Sequence, residues 1–254
     1  MNKEINEQTV LITGAGRGLG SQISKSFYRE GAKVIINYRN SREAAEKLKS
    51  SLGDNAILMK GDIREKDEVL KIKKDLLEKQ IIIDTVIHNA ISDYKFNGDK
   101  RNKIEDIEWQ DFQNQIETSQ KGFLNLLNIF TPSMKQNNFG RFISIGTNLF
   151  QNPVVPYHDY IAAKGGLLSL TRTAAIDLGK YNITVNMVSG GLLKITDASK
   201  GTPDEVFDYI KNITPLRKVT TTNDFADAVL FFASPWSRAV TGQNLIVDGG
   251  LVLN

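Results

Sequence analysis

The chain has 254 residues, 41% hydrophobic and 24% charged, proportions that suit one α/β domain with a core of its own. The lack of cysteine excludes disulfides, thiolate-held metals and a cysteine nucleophile, and two histidines, His88 and His158, are too few for a histidine-rich metal site. The net charge of +3 is spread through mixed Lys, Arg, Asp and Glu without a basic run, which argues against nucleic acid, and no apolar run has the length of a membrane span. The polar start, Met1-Asn2-Lys3-Glu4-Ile5-Asn6, lacks the apolar stretch of a signal peptide, so a cytoplasmic location is expected.

The first predicted strand is Thr9–Thr13, a short β-branched run, followed by glycines and a helix with Leu19, Ile23 and Phe27 at four-residue spacing. Gly31 stops that helix, and residues 33–37 read as the second strand. Asn40-Ser41 then caps a helix carrying Ala44, Ala45, Leu48 and Leu52. Residues 56–60 make a third strand, and Val69, Ile72, Leu76 and Leu77 share one face of the next helix. The fourth strand is 85–88. Residues 109–136 are helical, with Trp109, Phe112 and Ile116 as core or subunit contacts and Pro132 as a kink or break. Strands at 141–145, 184–188 and 245–247 and a long helix over 159–180 complete the pattern. Alternating strands and helices imply a parallel, doubly wound Rossmann-type sheet of about seven strands with helices on both faces, in a single domain. Two stretches break the alternation. Residues 92–108 read as a long mobile loop, and residues 190–215 as a loop with a short apolar stripe at Phe207, Ile210 and Ile213; loops of such length are often lids or substrate loops.

The first strand runs into Thr13-Gly14-Ala15-Gly16-Arg17-Gly18-Leu19-Gly20. Gly14, Gly18 and Gly20 permit a tight turn and close packing, after which the helix points its free N–H groups at a pyrophosphate. The strand-end acid that grips the 2′-hydroxyl in NAD enzymes is absent; the second strand ends in Asn37-Tyr38-Arg39, and Arg39 with Arg17 suits a 2′-phosphate. NADP is therefore expected over NAD. Tyr160 and Lys164, four residues apart, share one helix face, where an ammonium shifts the phenol towards the working range for proton exchange. His88 reads as packing, Asp84 as a turn residue, and Tyr157 and His158 either as lining for a substrate entrance or as surface residues.

These features together resemble the short-chain dehydrogenase/reductase family in its compact form. The resemblance covers the whole chain: the glycine turn, Asp62, Asn89-Ala90, Tyr160 with Lys164, and Thr241-Gly242-Gln243 leading into Val247-Asp248-Gly249-Gly250. Within the family the chain is most similar to the 3-oxoacyl-(acyl carrier protein) reductases and their paralogues. The resemblance implies Tyr160 as general acid, Lys164 as its electrostatic partner and a ligand of the nicotinamide ribose, and Thr147 as binder of the substrate oxygen. It implies Ser119 in place of an asparagine that supports the lysine's water relay. It places Asp62 and Ile63 at the adenine, Asn89 and Ala90 at the adenosine ribose, and Leu193 at the nicotinamide carboxamide. The implied activity is NADPH-dependent reduction of a carbonyl to a secondary alcohol, in fatty acid biosynthesis if the substrate is a 3-oxoacyl thioester. Alternatives are another small ketone, or a cofactor-binding member with weak catalysis and a regulatory role. A homotetramer without a metal is implied, packing through helices around 112–130 and 162–178. The chain departs from the family pattern at Ile91, at Gly190-Gly191, and at Asn138 and Ile176, where basic residues that dock the carrier protein are replaced.

Overall fold

The computed structural model describes residues 3–94, 96–194, 196 and 199–253. The β-branched runs become seven parallel strands: β1 (Thr9–Ile12), β2 (Lys33–Tyr38), β3 (Ala56–Lys60), β4 (Thr85–His88), β5 (Gly140–Thr147), β6 (Ile183–Gly190) and β7 (Asn244–Val247). They pair in the order β3-β2-β1-β4-β5-β6-β7. The helices are α1 (Gly18–Arg29), α2 (Arg42–Leu52), α3 (Lys66–Leu77), α4 (Trp109–Ile116), α5 (Gly122–Gln136), α6 (His158–Leu178), α7 (Asp204–Ile213) and α8 (Thr222–Ala233).

Side chains alternate along each strand, which splits the core in two. Val10, Ile12, Val34 and Ile36 meet Ile23 and Phe27 of α1, Ala45 and Leu48 of α2, and Phe225 and Val229 of α8. Leu11, Ile35, Val86 and Phe142 meet Val69 and Ile72 of α3, Phe123 and Leu126 of α5, and Leu167 of α6. Burial of each such side chain stabilises the fold by about 1.5–3 kcal/mol relative to exposure. The strand order reverses between β1 and β4, and the connections leaving their carboxyl ends diverge to open a crevice there.

Several local expectations change. The long helix is interrupted not at Pro132 but by a π-helical turn, Glu117–Lys121, and α5 runs through Pro132 to Gln136. Proline forfeits one backbone bond, whereas Phe123, Leu126, Leu127, Phe130 and Met134 bury the helix along its length, so packing prevails. Ser41 stands before α2 without a side-chain capping bond. Leu76 faces the core, but Leu77 projects into solvent. Asp84 does more than turn the chain: its carboxylate accepts from the Thr9 amide at 3.0 Å and the Lys3 ammonium at 2.7 Å. Trp109 is exposed and stacks on Phe112 rather than entering the core.

The 92–108 segment is docked rather than free, held by contacts to α6 given below. Lys95 of that segment, and Ile195, Asp197 and Ala198 of the 190–215 segment, lie outside the described residues. In the latter, α7 carries the predicted stripe, with Phe207 and Ile210 half-buried and Ile213 exposed.

Candidate active site

β1 leaves the sheet at Thr13 and enters the glycine turn. Gly14 has φ +61° and Gly18 φ +53°, in the left-handed region that favours glycine. A Cβ on Gly20 would collide with the Gly14 carbonyl and the Asn89 amide, so only glycine lets α1 approach this closely. The N-cap residue Arg17 makes no side-chain cap bond to α1, so the N–H groups of the first turn are open to a ligand from that side. The turn is tied to the end of β4: Thr13 Oγ1 accepts from the Asn89 and Ala90 amides at 3.0 and 3.1 Å, and Asn89 Nδ2 donates to the Thr13 and Gly14 carbonyls. An open helix terminus beside glycines packed this tightly fits a dinucleotide pyrophosphate.

The crevice beside the ends of β2 and β3 is built around charge. Arg39 lies 3.7 Å from Asp62 and 3.1 Å from Asp93. Asp62 also accepts from the Arg64 guanidinium at 2.6 Å. Burial acts to raise the Asp62 carboxyl, but the Arg64 hydrogen bonds outweigh it and hold the group below the usual carboxylate range. Arg64 escaped the sequence reading, although its place two residues after Asp62 was a signal. Asn37 braces β2 on the connection after β3, donating to the Met59 and Gly61 carbonyls. The Tyr38 side chain is buried in the first core layer and Ile63 in the second. Leu19 and Leu193 pack against the first layer, and Arg17 is exposed at the start of α1. Of these residues Arg39, Asp62 and Arg64 bring charge to this part of the crevice, joined to one another in ion pairs.

The second half of the crevice joins β4, β5, α6 and the π-turn. On α6 the buried residues Tyr160, Ala163, Lys164, Leu167 and Thr171 form one helical stripe. Gly166 lets this helix approach Gln120 of the π-turn, whose side-chain amide donates to the Ala163 carbonyl at 3.3 Å. The Tyr160 phenol takes a hydrogen bond from Thr147, the last residue of β5, which favours the phenolate. Burial is the larger effect and pushes the phenol up to about 12. The expected lowering is therefore not seen, and a physical reason is at hand. The Lys164 ammonium donates to the Ile145 carbonyl at 2.7 Å and lies 5.8 Å from the tyrosine ring centre. Burial pushes Lys164 down to about 8. Ser119 is buried, and its carbonyl meets His88 Nε2 at 3.0 Å. Burial, with Lys164 nearby, holds His88 down at about 3, so the ring is neutral and donates that bond. His88 stacks on Phe123, as the packing reading expected.

The connection from β4 to α4 closes over this half. The rings of Tyr94 and Phe96 lie 5.3 and 5.4 Å from that of Tyr160. The Tyr157 hydroxyl accepts from the Gly98 amide at 2.7 Å. Asp159 is buried, accepting from the Tyr94 hydroxyl at 3.0 Å and from Arg101 at 2.7 Å.

A family model described as enoyl-(acyl carrier protein) reductase matches residues 14–252, spanning both halves of the crevice. The chain belongs to the short-chain dehydrogenase/reductase family. Members of this family are NAD(P)-dependent oxidoreductases, which agrees with the open helix terminus and the Tyr160–Lys164 stripe. Among curated relatives, the chain is 28% identical to a 3-oxoacyl-(acyl carrier protein) reductase of Staphylococcus epidermidis, covering 97% of this chain and 99% of that protein. It is 30% identical to a 7α-hydroxysteroid dehydrogenase of Escherichia coli K12, covering 98% and 96%. A solved 3-oxoacyl-(acyl carrier protein) reductase from Brucella melitensis is 27% identical and superposes with a TM-score of 0.88 over 99% of this chain and 94% of that one. In this short-chain dehydrogenase/reductase Thr147, at the end of β5, adjoins Tyr160 on α6, the helix that also carries Lys164. No helix among its described residues is long and apolar enough to cross a membrane.

Proposed function

We propose that the protein reduces a ketone to a secondary alcohol with NADPH, using Tyr160 as the proton donor. The observation that carries this reading is the Thr147 hydroxyl on the Tyr160 phenol, one helical turn from a buried Lys164. When bound, a nicotinamide dinucleotide supplies the hydride. The substrate oxygen is held by the Thr147 hydroxyl and takes its proton from the Tyr160 hydroxyl. The phenol is neutral at pH 7, the form a general acid must have. The Lys164 ammonium stabilises the phenolate left behind, and the family resemblance gives Ser119 the place from which a water relay would return the proton. Water-excluding burial strengthens these interactions.

The substrate is a 3-oxoacyl thioester, in keeping with the bacterial reductases above, or another ketone that is not a thioester, in keeping with the hydroxysteroid dehydrogenase. Against a carrier-borne substrate stand Asn138 and the exposed, uncharged Ile176. NADPH oxidation tested with free, coenzyme A-linked and carrier-linked 3-oxoacyl groups, 2-enoyl thioesters and simple ketones separates these readings. Turnover of at least one ketone and none of the enoyl thioesters is expected. A second reading, a cofactor binder with weak catalysis, draws support from the bond that diverts Lys164 to the Ile145 carbonyl. NADPH binding without turnover across the panel favours it.

NADPH is the favoured cofactor because β2 ends in Asn37-Tyr38, with Arg39 next and no carboxylate there, and Arg39 is steadied by Asp62 and Asp93. Arg39→Ala is expected to weaken NADPH binding about tenfold, since a hydrogen bond to a charged group contributes about 1.5–3 kcal/mol, and to leave NADH within about twofold. Calorimetric dissociation constants for both cofactors decide it; tighter NADH binding by the wild type sinks the preference.

We also propose a homotetramer in which α4, α5 and α6 pack between subunits. Their outward faces expose Trp109, Leu124 and Ile176, apolar surface that one sheet does not cover. Light scattering at micromolar concentration is expected to give four times the chain mass; a particle of 28.3 kDa refutes it.

A further inference from the structure

The segment after β4 forms a built wall at the reacting end of the crevice. Tyr94 and Phe96 contact each other at 4.9 Å between ring centres, and both contact Tyr160 and Tyr157. With these rings around it, Tyr160 is only 9% exposed. Tyr94 and Phe96 are thus the aromatic surfaces in contact with the Tyr160 ring, beside the phenol that a ketone oxygen would reach.

A second set of contacts fixes the wall. Asp159 precedes Tyr160 on α6, and its carboxylate is buried. One oxygen accepts from the Tyr94 hydroxyl and the other from Arg101, whose guanidinium lies 4.2 Å from the Tyr94 ring centre. Burial and the Asp159 charge push the Tyr94 phenol upward, so it remains a donor. A buried ion pair of this kind is costly to break by removing one partner, because the other charge is stranded.

We infer that Tyr94 and Phe96 are specificity-determining residues that stack on a planar ring beside the substrate carbonyl, and that Arg101, paired with Asp159, is a positioning residue that holds them there. The site thus selects aryl ketones over small aliphatic ones. This inference rests on the ketone-reductase reading and deepens it.

The test compares acetophenone with 2-butanone. Phe96→Ala is expected to lower kcat/KM for acetophenone about fivefold or more, because stacked aromatic pairs contribute about 0.5–1.5 kcal/mol beyond their area. 2-Butanone should lose less, so that the acetophenone to 2-butanone ratio falls several-fold. Arg101→Gln should shift the same ratio in the same direction, mainly through KM, and add little to Phe96→Ala in the double variant. Equal loss on both ketones, or no loss on either, overturns the inference, as does additive behaviour of the two variants. If the wild type reduces neither ketone but turns over a 3-oxoacyl group, the aryl preference is overturned; if it turns over no ketone at all, the reductase reading fails, and the wall is judged separately by calorimetry. The NADP-loaded protein should then bind 1-phenylethanol several-fold tighter than 2-butanol, with the difference lost in Phe96→Ala; equal affinities for the two alcohols overturn it.

Discussion

Tyr160→Phe is expected to lower kcat for ketone reduction by about 10²–10⁴-fold, the range that a positioned general acid contributes. The substitution removes one oxygen and keeps the ring, so the contacts with Tyr94 and Phe96 persist. The glycine turn and the N-terminus of α1 lie on a different part of the crevice and are untouched. NADPH affinity should accordingly stay within about twofold. Single-turnover rates with saturating NADPH, paired with a binding isotherm, separate the two quantities. A variant keeping more than roughly a tenth of wild-type kcat removes Tyr160 from the role of proton donor.

Lys164→Met is expected to lower kcat/KM by about 10²–10³-fold, the scale on which a charge aimed at a developing anion acts. The effect carries a pH signature. Burial brings Lys164 down to about 8, so the ammonium is present below that pH and lost above it. Tyr160, pushed up to about 12, stays neutral through that range. For reduction, kcat/KM of the wild type should be level below about pH 8 and fall up to tenfold per unit above it. Lys164→Met should be low and flat through the same range. The same profile measured in the variant is the check. A wild-type plateau that continues to pH 10 means that Lys164 is not the group whose charge supports the phenolate.

Much of the architecture was legible before any coordinates. β-branched runs separated by amphipathic helices specify parallel strands with helices on both faces, because each element has one way to bury its apolar side. The glycine turn was equally readable, since positive φ at Gly14 and Gly18 and the crowding at Gly20 each demand the residue that is written there. Four-residue spacing put Tyr160 and Lys164 on one face. Local rules failed where a distant packing partner outweighed them. Pro132 marks a break by propensity, yet its helix continues on the strength of a buried face, while the π-turn at Ser119 carries no residue that announces it. Whether Lys164 faces a phenol or a carbonyl depends on where β5 places Ile145.

The clearest division lies in the 92–108 segment, whose polar composition reads as a free loop. Sequence by itself determined the sheet, the nucleotide turn and the spacing of the tyrosine and lysine, because those follow from backbone conformation and from periodicities of a few residues. Only the tertiary structure decided that Arg101 and Tyr94 meet Asp159, and that Phe96 meets Tyr160. These partners lie some sixty residues apart in the chain. Charge pairing and ring packing at that separation depend on the fold bringing two surfaces together, and no local pattern encodes it.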